Sequence, residues 1–150
     1  MNQPTFIILL IEDDPNDIDL VSHAFSKASL PGMLRSVSTA EEAIAYLSGD
    51  GAFADRDRHP LPSLILLDLK LPGRSGFECI EWLKKTPAFK GIPVIVLTSS
   101  RESVVIRRAY DLGATSYMVK PVGFDELLAL VKTIGAYWAL YNRFPEAPRP

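Results

Sequence analysis

The sequence predicts an α/β protein in which a five-stranded parallel sheet is covered by helices on both faces. Short continuous apolar runs, the mark of strands buried on two sides, alternate with stretches of 3.6-residue apolar periodicity. Cap, turn or proline residues stand at the boundaries between them. The 150 residues are 47% hydrophobic and 23% charged, enough for one core and unlike a disordered or fibrous chain.

Residues 6–11 are apolar without a break and form the first strand. Over 15–28, Ile18, Val21, Ala24, Phe25 and Ala28 share one helical face. Asp14 followed by Pro15 supplies an N-cap acceptor and a proline suited to the first turn. Pro31 and Gly32 end that helix, and 33–37 is a weaker strand. Thr39 and Glu42 stand in capping-box spacing and open a helix through Leu47. The polar stretch 48–62, with Gly49, Gly51, Pro60 and Pro62, reads as a loop.

A third strand over 64–67 ends in Asp68, and a helix follows over 77–85. The fourth strand covers 93–97, and a helix over 102–112 is closed by Gly113. The fifth strand is 115–119 and the last helix 124–141; Pro145, Pro148 and Pro150 keep the tail non-helical. Right-handed crossovers favour a doubly wound, flavodoxin-like sheet in the order 2-1-3-4-5. Residues 5–135 make a single domain, and 136–150 extend the last helix into a proline-rich tail.

Sixteen basic against eighteen acidic residues leave a net charge of −2, with no basic excess for nucleic acid. The single cysteine, Cys79, excludes an internal disulfide and a multi-cysteine zinc site and fits a reducing cytoplasm. The run 6–11 is too short for a signal core, lacks a basic flank and meets Glu12, Asp13 and Asp14 at once. No apolar run reaches the roughly 18 residues of a membrane helix. The expectation is a soluble, cytoplasmic protein without a nucleic-acid or membrane partner.

In open α/β sheets ligands bind at the carboxyl ends of the strands. Those exits carry Glu12, Asp13 and Asp14 after the first strand and Asp68 after the third. Thr98, Ser99 and Ser100 follow the fourth, and Lys120 with Pro121 the fifth. Clustered carboxylates need a cation, and an oxygen-only set without histidine or cysteine suits Mg²⁺ rather than zinc. A carboxylate beside such an ion can take up a phosphoryl group as an aspartyl phosphate. A lysine and a hydroxyl would neutralise and hydrogen-bond that group.

Residues 11–15, 66–72 with Gly76, 96–100 and 119–121 resemble, in order and spacing, the receiver domain of two-component response regulators. The resemblance covers about 5–135 and implies a role for each matching residue. Asp68 accepts phosphate from a phosphohistidine; Asp13 is the direct Mg²⁺ carboxylate, Glu12 its partner, and Lys70 adds a backbone carbonyl. Thr98 and Lys120 bind the phosphoryl group, Thr98 and Tyr117 form the switch, and the bond before Pro121 is cis. Lys70 and Ser100 line the approach of hydrolytic water and tune the lifetime of the phosphorylated form. Among the remaining residues, Asp14 reads as an N-cap, Pro72 and Gly76 as loop shapers, and Cys79 as a buried helix residue. His23 and His59 read as surface residues, and Lys84, Lys85, Arg107 and Arg108 as solvated helix faces.

The expected function is a single-domain response regulator whose phosphorylation on Asp68 switches a protein-interaction surface. It would be no enzyme beyond its own phosphorylation and dephosphorylation. One alternative is a Mg²⁺-dependent phosphohydrolase, but the second acid such a site wants is here Lys70. The other is a degenerate receiver used only for binding, against which the complete set Asp13, Asp68, Thr98 and Lys120 argues. The long loop, last helix and tail resemble stand-alone regulators associated with phytochrome-type and other hybrid histidine kinases. A sensor histidine kinase or a histidine phosphotransfer protein is the implied partner. With no residues left for an output domain, the output would be a protein contact. In the last helix, Phe124, Leu127, Leu128, Val131, Ile134 and Trp138 form a stripe for the sheet. Leu130, Tyr137, Tyr141 and Phe144 form a second stripe, which favours docking or a homodimer through the last helix and tail over a tail folded back.

Overall fold

In the computed structural model, which describes residues 6–145, the strands are β1 (Ile7–Ile11), β2 (Met33–Val37), β3 (Leu64–Leu67), β4 (Val94–Thr98) and β5 (Ser116–Val119). They form one parallel sheet in the order 2-1-3-4-5, the flavodoxin-like wiring. The helices are α1 (Pro15–Lys27), α2 (Ala40–Ser48), α3 (Gly76–Lys85), α4 (Ser103–Asp111) and α5 (Phe124–Gly135). None of the described helices is long and apolar enough to cross a membrane.

The unbroken apolar strands follow from two-sided burial, since side chains alternate between faces. Leu9, Ile11, Ile65, Leu67, Val94 and Val96 pack with Ala43, Leu47, Ile80, Leu83 and Ala109 of α2, α3 and α4. Ile8, Leu10, Leu64, Leu66, Ile95 and Leu97 pack with Val21, Ala24, Leu127, Val131 and Ile134 of α1 and α5. Register then places the site. Ile11 pairs with Val37 and Leu67, and Leu67 with Val96, so β1 and β3 end side by side where the strand order reverses.

Local capping chemistry starts α1 and α2 as the sequence indicates, and a serine does the same for α3. Asp14 accepts from the Asn16 N–H at 2.9 Å, Thr39 from Glu42 at 3.0 Å and Ser75 from Glu78 at 3.4 Å. The stretch 48–62 is more than a polar loop: Arg56 donates to the carbonyls of Tyr46, Leu47 and His59, closing the end of α2. The Tyr46 hydroxyl donates to the Pro60 carbonyl at 2.8 Å, and the His59 ring meets Tyr46 and Phe53 edge-on. Half-buried His59 is therefore a packed residue and not simply a surface one; exposed His23 lies against Phe124.

The last helix changes winding. After Gly135 it continues as a π-helix, Ala136–Tyr141. A β-carbon at Gly135 would fall 2.2 Å from Leu30 Cδ1, so a larger residue here would displace the Leu30 side chain. Beyond it the chain turns and sets Phe144 against Trp138 and Phe6. Leu130 joins the α1–α5 core, while Tyr137 is 54% and Tyr141 75% exposed. Of the second stripe, then, one member is partly buried, Phe144 folds back in part, and two stay open. Pro148 and Pro150 lie outside the described residues.

Candidate functional site

Glu12, Asp13 and Asp68 meet at the β1–β3 switch point. One carboxylate oxygen from each lies within 4.8 Å of the others, with Glu12 and Asp68 buried and Asp13 exposed. Parallel pairing delivers them: Asp68 donates its N–H to the Ile11 carbonyl at 3.0 Å, and Glu12 donates to Val37 at 3.0 Å. Asp14 is near in sequence but turned to its capping role; its N–H donates to Glu12 Oε1 at 3.2 Å.

Around Asp68 the donors converge. The buried Thr98 hydroxyl donates to Asp68 Oδ1 at 2.7 Å, and the Lys70 N–H donates to the same oxygen at 3.1 Å. Lys120, carried by the exit of β5, places Nζ 2.8 Å from Asp68 Oδ2 and 2.8 Å from Glu12 Oε2. Asp17, in the first turn of α1, takes the third Lys120 donor at 2.8 Å. Sequence reasoning missed Asp17 because an acid in a first turn reads as a partner of the helix dipole. Among the described residues no buried side-chain polar atom lacks a partner.

Burial and pairing set the charges here. Burial, with Asp68 close by, pushes the Glu12 carboxyl up to about 7 even against the pull of Lys120. Asp68 feels the same desolvation, but hydrogen bonds from Glu12, Lys120, the Lys70 N–H and Thr98 outweigh it and hold it below the usual carboxylate range. Burial acts to lower Lys120, and its contacts to Asp17, Asp68 and Glu12 overcome that and raise it. Lys120 is thus a fixed cation, and Asp68 is the carboxylate held ready as an anion. The acids outnumber the lysine, and the donor set is oxygen only, which fits a hard divalent cation.

Tyr117 on β5 donates its hydroxyl to the Ser100 carbonyl at 2.7 Å and packs on the core beneath α4. Ser100 Oγ in turn accepts from the Glu102 N–H at 3.3 Å at the start of α4. Lys70 Nζ reaches Ser99 Oγ at 3.4 Å, across a cavity of about 460 Å³ lined by Phe77, Thr98, Ser100, Arg101 and Val105 among others. Gly76 touches no site oxygen of its own. A β-carbon there would fall 2.6 Å from Leu69 Cα and 2.7 Å from the Asp68 carbonyl, so glycine lets α3 start against the backbone after Asp68. Cys79 is buried, and burial first, then Glu41, pushes its thiol up to about 12.

One expectation is corrected. The Lys120–Pro121 bond is trans, like every other described peptide bond. The trans form of a bond to proline is favoured by about 0.5–1 kcal/mol. With it, the Lys120 N–H still donates to the Thr98 carbonyl at 2.8 Å and Nζ still meets its carboxylates, so nothing here calls for the costlier isomer.

An acid cluster at the switch point, with a hydroxyl and an ammonium on one of its carboxylates, defines a class of signalling domain. Residues 8–132 match the family model described as the response regulator receiver domain, and the chain belongs to that family, part of the two-component systems. It is 36% identical over 143 residues to FilR2 of Methanothrix harundinacea, named as a probable methanogenesis regulatory protein, covering 93% of this chain and 88% of that one. To the response regulator Rcp1 of Synechocystis it is 32% identical over 146 residues, 97% of each chain. Among solved structures, the phosphorylated cyanobacterial phytochrome response regulator RcpA superposes with a TM-score of 0.87 at 34% identity, over 95% of this chain and 100% of that one. The Mn²⁺-bound form of Rcp1 does so at 0.83 and 31% identity, over 95% and 100%.

Proposed function

We propose that this protein is a phosphorylatable response regulator whose Asp68 accepts a phosphoryl group with Mg²⁺ bound at Glu12, Asp13, Asp68 and the Lys70 carbonyl. The observation that carries this is the convergence of Thr98 Oγ1 and Lys120 Nζ on the two oxygens of one buried, ionised carboxylate. In the transfer an Asp68 oxygen attacks phosphorus while the phosphorus–nitrogen bond of a phosphohistidine breaks. The imidazole nitrogen leaves with the bonding pair. Hydrolysis reverses the linkage: water attacks phosphorus, and the Asp68 carboxylate and inorganic phosphate separate. Bound Mg²⁺ supplies neutralisation of charge on the phosphoryl oxygens.

This chain's residues do the positioning. The Lys70 N–H and the Thr98 hydroxyl orient Asp68, and Lys120 brings the positive charge that the phosphoryl oxygens require. Thr98 and Tyr117 carry the state outward, since Thr98 ends β4 and Tyr117 holds the Ser100 carbonyl at the entrance to α4. Lys70 and Ser100, at the mouth of the cavity, set how readily water reaches the acyl phosphate. The Mn²⁺ bound by Rcp1 supports a divalent ion here, and the all-oxygen donor set supports Mg²⁺.

A cytoplasmic sensor histidine kinase, of phytochrome type as the name of RcpA suggests, or a histidine phosphotransfer protein is the proposed donor. A second copy of the chain is the proposed occupant of the open aromatic surface at Tyr137 and Tyr141. Acetyl phosphate with Mg²⁺ tests the chemistry: wild type should gain one hydroxylamine-sensitive phosphoryl group, and Asp68→Asn or chelation of the metal should abolish it. Equal incorporation by Asp68→Asn would overturn the assignment, and multiple turnover of a phosphate ester would favour a phosphohydrolase.

A further inference from the structure

Lys120 is held by one carboxylate more than phosphoryl acceptance requires. An ammonium has three N–H donors, and all three are taken, by Glu12 Oε2, Asp17 Oδ2 and Asp68 Oδ2, each at 2.8 Å. Glu12 and Asp68 belong to the carboxylate group that would hold the cation, whereas Asp17 does not. Its side chain is also the wettest of the three, 32% exposed against 3% for Glu12 and 7% for Asp68.

We infer that Asp17 is a positioning residue that competes with the phosphoryl group for Lys120 and biases the protein toward its unphosphorylated state. The inference rests on Asp68 being the phosphoacceptor. A phosphoryl group on Asp68 takes over the Lys120 donor that now serves Asp68 Oδ2, and as a dianion with three oxygens it draws further on the ammonium that Glu12 and Asp17 share. Glu12 is buried and would lose a contact that water cannot replace. Asp17 faces solvent, which can hydrate the oxygen that Lys120 abandons. Its charge also stands beside the ammonium that a dianionic phosphoryl group recruits, and it weakens that recruitment. The exchange reaches α1, because a released Asp17 carboxylate opens onto the small cleft between Leu20, Val21, Pro121 and Leu127.

Beryllofluoride tests this without chemistry at phosphorus, because BeF₃⁻ takes an Asp68 oxygen as its fourth ligand and breaks no bond in the protein. Its affinity is measured by calorimetry at saturating Mg²⁺ for wild type, Asp17→Asn, Asp17→Ser and Asp17→Glu. Both neutral variants should bind about fivefold more tightly, the size expected of a partly exposed ion pair, and Asp17→Glu should stay within about twofold of wild type. Equal or weaker binding by the two neutral variants would overturn the competition. So would a gain shared by Asp17→Glu, which would assign the effect to the start of α1 and not to charge. A wild type that binds no better than Asp68→Asn would overturn the phosphoacceptor reading instead.

Discussion

At the carboxyl end of the sheet, one lysine satisfies three carboxylates at equal distances of 2.8 Å, and Thr98 and the Lys70 N–H complete the coordination of Asp68. Past Gly135, beside the strand starts, Tyr137, Leu140 and Tyr141 stand largely open, while Trp138 packs on the edge of the α1–α5 core and Phe144 stacks on it in part. The difference is one of tolerance. A buried charge without a partner costs several kcal/mol, so its geometry must be fixed by strand register. Surplus apolar surface costs far less to leave wet, so it can wait for a partner.

The contrast breaks first at Lys120. Lys120→Ala should destabilise the metal-free protein by about 3 kcal/mol, because it strands neighbouring carboxylates together in a partly buried site. Urea melts with and without Mg²⁺ would show it, with the ion recovering part of the loss. No loss in metal-free buffer would mean that the polar end is as tolerant as the aromatic one. Trp138→Ala should cost about 1.5 kcal/mol, less than a fully buried tryptophan, because it is only partly buried at the margin of the core. A cost of roughly 4 kcal/mol would make residues 136–145 part of the core.

Replacing Tyr137 and Tyr141 together by serine sharpens the same point in solution. Sedimentation should show the wild type dimerising and the double variant weakened about tenfold, as loss of interface aromatics implies. A strictly monomeric wild type at high concentration, phosphorylated or not, would defeat the dimer. The smallest effect concerns Cys79, whose thiol rests at about 12 against an ordinary value of 9. Its folded-state pKa is raised, so its stabilising contribution is complete below about 9 and is lost as the pH climbs through about 12. Native protein at pH 8 should therefore resist thiol labelling until urea unfolds it. Rapid labelling of the native state would contradict that burial.

Much of this arrangement is legible before folding. The strands declare themselves because two-sided burial demands unbroken apolar runs, and Asp14 and Thr39 cap helices through bonds that span two or three residues. Asp13, Asp68, Thr98 and Lys120 are recognisable because parallel strands deliver their exits to one edge of the sheet. Asp17 and Arg56 are not, since an acid in a first turn and an arginine in a polar loop are ordinary on any surface. The trans bond before Pro121 ran against the expectation and follows the ordinary preference of a bond to proline.

Local periodicity and strand-exit chemistry, then, were determined by the sequence itself, because they depend on neighbours a few residues apart. Only the tertiary structure decided which long side chains meet. Asp17 and Lys120 are 103 residues apart in the chain and touch because α1 and the β5 exit converge on the same edge of the sheet. The close approach of Gly135 to Leu30 was decided the same way. Such contacts arise from the packing of distant elements, and no window of sequence contains both partners.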